Sequence, residues 1–145
     1  MDDDPDLYRG DTIRLSRSTH HVFATTRGAT AETRGWLCAY AVDPATGHLL
    51  NSAEGAPPTA VWRTPTSGGK ANAIEVIAVN GRGRHAEGAG EGEGERGREE
   101  MDWIVLTDSE QGLVLVISWD GHEFKEVSRV QMDEGDGASH AVWLE

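Results

Sequence analysis

An all-β chain of two four-stranded antiparallel sheets plus a closing strand is what the 145 residues predict, on three observations. Short β-rich apolar runs such as Val22-Phe23-Ala24-Thr25-Thr26 and Trp103-Ile104-Val105-Leu106-Thr107 recur along the chain. Turn residues, as in Pro44-Ala45-Thr46-Gly47, punctuate them. One strand also occurs twice, because GWLCAYAVD at 35–43 aligns with GLVLVISWD at 112–120.

Taken in order, residues 1–10 form a polar lead-in whose MDDDPD start lacks the apolar content to order itself. Residues 11–16 alternate polar and apolar as a first strand, and 17–20 turn the chain into a second at 22–26, which ends at Arg27. The third strand, 35–42, is apolar at nearly every position, so both of its faces should be covered. A fourth is expected between 48 and 53, before Glu54-Gly55-Ala56-Pro57-Pro58 breaks the pattern. Residues 59–63 are extended, and 64–70 make a tight loop.

The unit spanning 11–63 then repeats over 64–132, with strands at 73–79, 103–107, 112–119 and 123–132. In both units a threonine followed by a charged residue ends the second strand, Thr26-Arg27 in one and Thr107-Asp108 in the other. The second unit carries an insert at 81–100 of Gly, Glu and Arg, a composition too poor in apolar residues to fold. Without it the repeat approaches the ~40 to 50 residues of a four-stranded propeller blade. An ordinary β-sandwich is the competing reading, since short, regularly spaced strands fit both. Residues 139–144 read as a strand of the kind that closes a propeller ring.

The net charge of −12 argues against nucleic acid or an anionic membrane surface as partner, since both need clustered Lys and Arg. The lone Cys38 excludes an internal disulfide and a cysteine-based zinc site, and suits a reducing compartment. The N-terminus is acidic where a signal peptide is basic, and no apolar run approaches the ~20 residues of a membrane helix, so a cytoplasmic location is expected.

Successive connections in an antiparallel blade alternate between its two ends. That topology puts Arg9, Arg27, Lys70, Asp108, Glu110 and His140 on one rim, a candidate anion site within an acidic protein. Other chemistry is disfavoured. Thr64 and Ala71 replace residues that a phosphate-binding loop ending in Lys70 needs. His20 and His21 would point to opposite faces of a strand, against shared metal ligation. Ser139, His140 and Asp108 lack the glycines of a nucleophile elbow. No metal or cofactor is expected.

LYRGDTIRLS, VFATTRG, WLCAYAVDPATGHL, TPTSGG followed by NA, and LTDSEQGLVLVISWDG together resemble the C-terminal part of the fungal carboxy-cis,cis-muconate cyclases. These belong to the lactonase-type seven-bladed propellers. The strand ending in Arg and the DPATG turn are shared with the wider family, including 6-phosphogluconolactonases, whereas the TPTSGG and TDSEQG runs point more narrowly to the cyclases. The resemblance covers nearly all the chain outside the insert. It implies a cycloisomerase of aromatic catabolism that lactonizes 3-carboxy-cis,cis-muconate. One carboxylate adds across a carbon–carbon double bond and the adjacent carbon takes a proton, with no cofactor. Of the family's two arginines, histidine and glutamate, it carries over one arginine, onto Arg27, with Arg9, at the family's Leu-Tyr-Arg segment, as a further pocket-lining candidate; Lys70 is a substrate-binding candidate from the rim topology alone. It also implies two blades of a larger ring, inactive alone, whose open faces meet missing N-terminal blades or a second copy. The alternatives are a lactone hydrolase and a non-catalytic binding propeller.

Overall fold

The computed structural model describes residues 4–50, 57–80 and 100–144. They form two four-stranded antiparallel sheets with strand orders β1-β2-β3-β4 and β5-β6-β7-β8. The first holds β1 (Tyr8–Leu15), β2 (His21–Gly28), β3 (Trp36–Ala41) and β4 (Ala60–Arg63). The second holds β5 (Ile74–Asn80), β6 (Glu100–Asp108), β7 (Leu113–Trp119) and β8 (Phe124–Gln131). No α-helix occurs among the described residues.

Seven of these strands coincide, within a few residues at each end, with runs read from the sequence. The lead-in is shorter than expected: Pro5–Leu7 makes a 3-10 turn and β1 begins at Tyr8. The fourth strand of the first sheet is a correction. It lies at Ala60–Arg63, where Trp36 pairs with Arg63 and Leu37 with Trp62. Near the position expected for it, only an isolated bridge joins Val42 to Leu49, and residues 51–53 of that expectation lie outside the described residues. The 43–47 turn explains the displacement. Asp43 accepts from the amide of Ala45 at 2.8 Å, which coils the chain tightly and delays re-entry into the sheet. The insert expected at 81–100 lies outside the described residues except for Glu100, which begins β6.

Register also corrects the match between repeats. Trp36 faces Thr26 across β2 and β3, while Leu113, its counterpart in β7, faces Asp108. Thr107 is therefore equivalent to Thr25 rather than Thr26. The two buried threonines play the same part, each donating its hydroxyl to the chain entering β5: Thr25 to the Asn72 carbonyl at 2.8 Å and Thr107 to the Ala73 carbonyl at 3.4 Å.

The core lies between the sheets. Phe23, Leu37 and Ala39 of the first pack on the face of the second that carries Ile104, Leu106, Leu115, Ile117 and Trp119. Phe23 meets the edge of Trp119 at 5.7 Å and of Phe124 at 5.8 Å. Strand β7 alternates strictly between buried and half-buried, as a sheet covered chiefly on one side should. In β3, Trp36 to Ala39 are all buried; the second sheet covers one face, and the Arg63 guanidinium lies 4.8 Å over the Trp36 ring on the other. That other face remains open. Ile13 is 68% exposed, Leu15 64% and Val61 50%.

Two fully buried aspartates bracket the core face of the second sheet: Asp102 fastens the β1–β2 turn of the first unit to it, and Asp108 the connection between the two sheets. At one end Asp102 accepts from the Ser16 hydroxyl and from the Arg17 amide at 3.1 Å. Thr19 in the same turn takes the indole N–H of Trp119 at 3.0 Å. Asp108 does the corresponding work at the other end, described below.

The closing strand expected at 139–144 is not a strand. No ladder forms there; instead the Trp143 indole donates to the Glu75 carbonyl at 3.3 Å and its ring lies 6.3 Å from that of Trp103. Two tryptophan side chains, not backbone pairing, hold the segment against β5 and β6.

Candidate functional site

The connection from β4 to β5, residues 64–73, closes one rim of the two sheets. Its path is held from three sides. Gly28 and Gly35 donate their amides to the carbonyls of Ser67 at 2.9 Å and Thr66 at 3.1 Å. Ser109, on the β6–β7 turn, accepts from the amides of Lys70 at 3.1 Å and Ala71 at 2.9 Å. Asp108 accepts from Gly68 at 3.2 Å through one oxygen, and from Glu110 at 2.8 Å and Gln111 at 2.9 Å through the other.

This packing leaves no room for side chains at the glycine pair. Gly69 has φ of +59°, and a Cβ there would lie 2.8 Å from the Asp108 carboxylate and from the Glu110 nitrogen. A Cβ on Gly68, at φ +88°, would meet the side chain of Asn72 at 2.6 Å. Asn72 is itself fully buried and donates to the Thr26 carbonyl at 2.9 Å.

The loop so fixed forms one wall of a 190 Å³ cleft lined by Arg9, Arg27, residues 28–31, Ser67, Gly69, Lys70 and Glu110. Arg9 and Arg27 face each other across β1 and β2 as register partners. Arg27 is half-buried, and one terminal nitrogen donates to the Lys70 carbonyl at 2.7 Å, which sets the guanidinium against the loop. The same nitrogen reaches the Gly69 carbonyl at 3.5 Å, so both contacts tie the guanidinium to the loop. Lys70 lies 3.7 Å from the Glu110 carboxylate, with the lysine side chain 85% exposed and the glutamate 48%. The cleft therefore gathers three cations and one anion. Among the described residues, no three His, Cys, Asp or Glu side chains are arranged to hold a metal ion.

Arg9, Arg27 and Lys70, the three site residues read from the sequence, all line this cleft, together with Glu110. Asp108 lies beneath it, committed to backbone amides and so unavailable to a catalytic triad. His140 does not line the cleft but sits near Glu75. Burial pushes the Glu75 carboxyl up, and the Arg14 hydrogen bond, the Val76 amide and the charges of Arg14 and His140 bring it below its ordinary value. Not foreseen were the anchoring roles of Asn72, Asp108 and Ser109. Paired glycines shortly before an asparagine, and an acid at a strand end before a turn, were the visible signals.

A second, larger groove of 530 Å³ runs between β5 and the C-terminal segment, lined mainly by Val76, Ile77, Ala78, Val142 and Trp143. It lacks the convergent cations of the rim cleft.

Fold and site together define an all-β protein of stacked four-stranded antiparallel sheets, consistent with propeller blades, with a cation-lined cleft at one rim. No model of a known protein family matches the chain. It is 24% identical over 139 residues to the carboxy-cis,cis-muconate cyclase of Neurospora crassa, a distant similarity that covers 96% of this chain and 31% of that protein's length. The chain thus spans about a third of the curated relative. No helix among the described residues is long and apolar enough to cross a membrane.

Proposed function

We propose that this chain supplies carboxylate-binding surface to a lactonizing enzyme related to the carboxymuconate cyclases, and that it does not turn over substrate by itself. The observation that carries this reading is the convergence of Arg9, Arg27 and Lys70 on one cleft of a protein whose net charge is −12. Concentrating cations against that background needs a reason, and a polycarboxylate is a fitting one. Guanidinium suits it because it binds carboxylate through paired N–H groups and stays charged.

In such a lactonization, a carboxylate oxygen forms a bond to one carbon of a double bond. The π electrons shift toward the neighbouring carbon, which takes up a proton from a general acid. Fixed cations stabilise the charge that develops on the remaining carboxylates. The loop-anchored Arg27 is positioned for that work, and Arg9 and Lys70 extend the cationic surface. At 190 Å³ the cleft is smaller than the ~300 to 1,000 Å³ of complete ligand sites, which agrees with its being part of one. The same reading places further sheet against the open face of Ile13, Leu15 and Val61.

The test is the purified chain with 3-carboxy-cis,cis-muconate, following binding by calorimetry and reaction by loss of the conjugated-diene absorbance. Binding that Arg9→Ala and Arg27→Lys both weaken, without turnover, is expected. Absence of binding at low salt overturns the carboxylate-binding reading, and turnover overturns the inactivity. For the open face, sedimentation of the chain and of Ile13→Asp is informative. Self-association that the aspartate abolishes is expected, and a strictly monomeric wild type counts against an apolar contact surface there.

A further inference from the structure

We infer that Lys70 and Glu110 form an exchangeable ion pair that lets the cleft count carboxylates, with Lys70 leaving Glu110 only for a third carboxylate of the ligand. This rests on the polycarboxylate reading of the cleft given above. Three features of the geometry carry it.

The cations are not equivalent. Arg9 and Arg27 are paired across β1 and β2, and neither forms an ion pair with a described carboxylate, so they are a ready site for two carboxylates. Lys70 is already matched, 3.7 Å from Glu110. A dicarboxylate is thus satisfied by the arginines, while a third carboxylate must compete with Glu110.

The competition is balanced rather than locked. A pair this long and this exposed contributes little, because water and salt screen it. The lysine ammonium is a point charge on a flexible stem and can swing between acceptors without a fixed fork to realign.

The backbones of the pair are held while the side chains are free to move. The Lys70 amide is fixed by the Ser109 hydroxyl and the Glu110 amide by Asp108. The Lys70 carbonyl is held by Arg27. Glu110 therefore stays at the cleft whether or not Lys70 is bound to it. It also repels any anion entering, so a ligand too poor in charge to recruit Lys70 is disfavoured. Glu110 is a specificity-determining residue in this account, and Lys70 the reader of the third charge.

The experiment compares tricarballylate with glutarate, which share a five-carbon chain and differ by the central carboxylate. Both are titrated calorimetrically into the full chain at low salt and mildly alkaline pH, where all their carboxylates are ionised. Wild type should prefer tricarballylate. Lys70→Ala should remove that preference, weakening tricarballylate through the lost third contact and glutarate by a clearly smaller factor, through the charge left unneutralised on Glu110 alone. Glu110→Gln, which keeps the amide bonded to Asp108, should tighten tricarballylate about three- to tenfold and glutarate by a smaller factor, through removal of the competing charge. Both side chains point to solvent, and unchanged thermal midpoints confirm that the variants fold. Equal weakening of both ligands by Lys70→Ala, or an unchanged preference in Glu110→Gln, overturns the exchange while leaving the polycarboxylate site standing. If wild type binds neither ligand, the polycarboxylate reading falls and the exchange with it.

Discussion

Replacing Asp108 by asparagine isolates the anchor on which the cleft depends. The carboxylate is fully buried and divides its work: one oxygen takes the amides of Glu110 and Gln111, the other takes Gly68. The substituted asparagine can keep its carbonyl oxygen toward the two turn amides. Its NH2 then opposes the Gly68 N–H across 3.2 Å, donor against donor, in a buried position. Hydrogen bonds to a charged group contribute about 1.5 to 3 kcal/mol, and an unsatisfied buried donor costs about 1 to 3. Loss of roughly 2 to 3 kcal/mol is therefore expected for Asp108→Asn, with the deficit concentrated in the 64–73 loop. Asp108→Ala strips all three amides, but those of Glu110 and Gln111 lie at exposed residues that water can reach, so roughly 3 to 4 kcal/mol is expected. Urea denaturation followed by tryptophan fluorescence measures both. With a slope of about 1 to 3 kcal/mol per molar for a small protein, the asparagine midpoint should fall by roughly 1 M. Polycarboxylate affinity should fall with it, because Gly69 and Lys70 lose their support. Midpoints within about 0.2 M of wild type for both variants, or an unaltered Gly68 amide resonance in Asp108→Asn, would refute the anchoring argument.

Three further outcomes follow from the same structure. Gly69→Ala must hold a side chain at φ +59° and place its Cβ 2.8 Å from Asp108, so a loss of more than about 1 to 2 kcal/mol is expected in the same denaturation assay, with weakened anion binding. Burial lowers the pKa of His21, against a raising influence from Asp102 and lowering ones from His122 and His20. The fold thus favours the neutral imidazole, its contribution is complete above the ordinary value of 6.5, and stability should decline as pH falls below it; His21→Phe should flatten that decline, and an unchanged slope refutes the assignment. Burial pushes the Cys38 thiol up to about 11, despite an opposing contribution from the Tyr40 hydrogen bond, so a maleimide should label it at neutral pH only when urea unfolds the chain. Rapid labelling of the native protein would refute the burial of Cys38.

Much of the cleft was legible in one dimension because it follows from connectivity. Once 22–26 and 35–42 are antiparallel neighbours in a meander, Arg27 must lie at the same end as the approach to β1 and the loop before β5, whatever packs elsewhere. Arg9, Lys70 and Glu110 follow by the same rule. His140 did not, because its place depended on a closing strand that does not form. The anchors were less legible. Asp102 and Asp108 look like ordinary surface charges in the sequence, and only the packing of one sheet on the other turns them into buried acceptors, for the β1–β2 turn and for the β4–β5 connection respectively.

The boundary between the two kinds of knowledge is a physical one. Apolar periodicity and turn chemistry act over a few residues, so the sequence by itself determined the all-β class, seven of the eight strands and the repeat of 35–43 at 112–120. Strand pairing and inter-sheet contact join residues far apart in the chain. The tertiary structure alone decided that the fourth strand is Ala60–Arg63, that Thr107 matches Thr25, that Trp143 binds by its side chain, and that Asp108 holds Gly68. Each depends on which donor finds which acceptor when two sheets close on one core, and no local propensity encodes that choice.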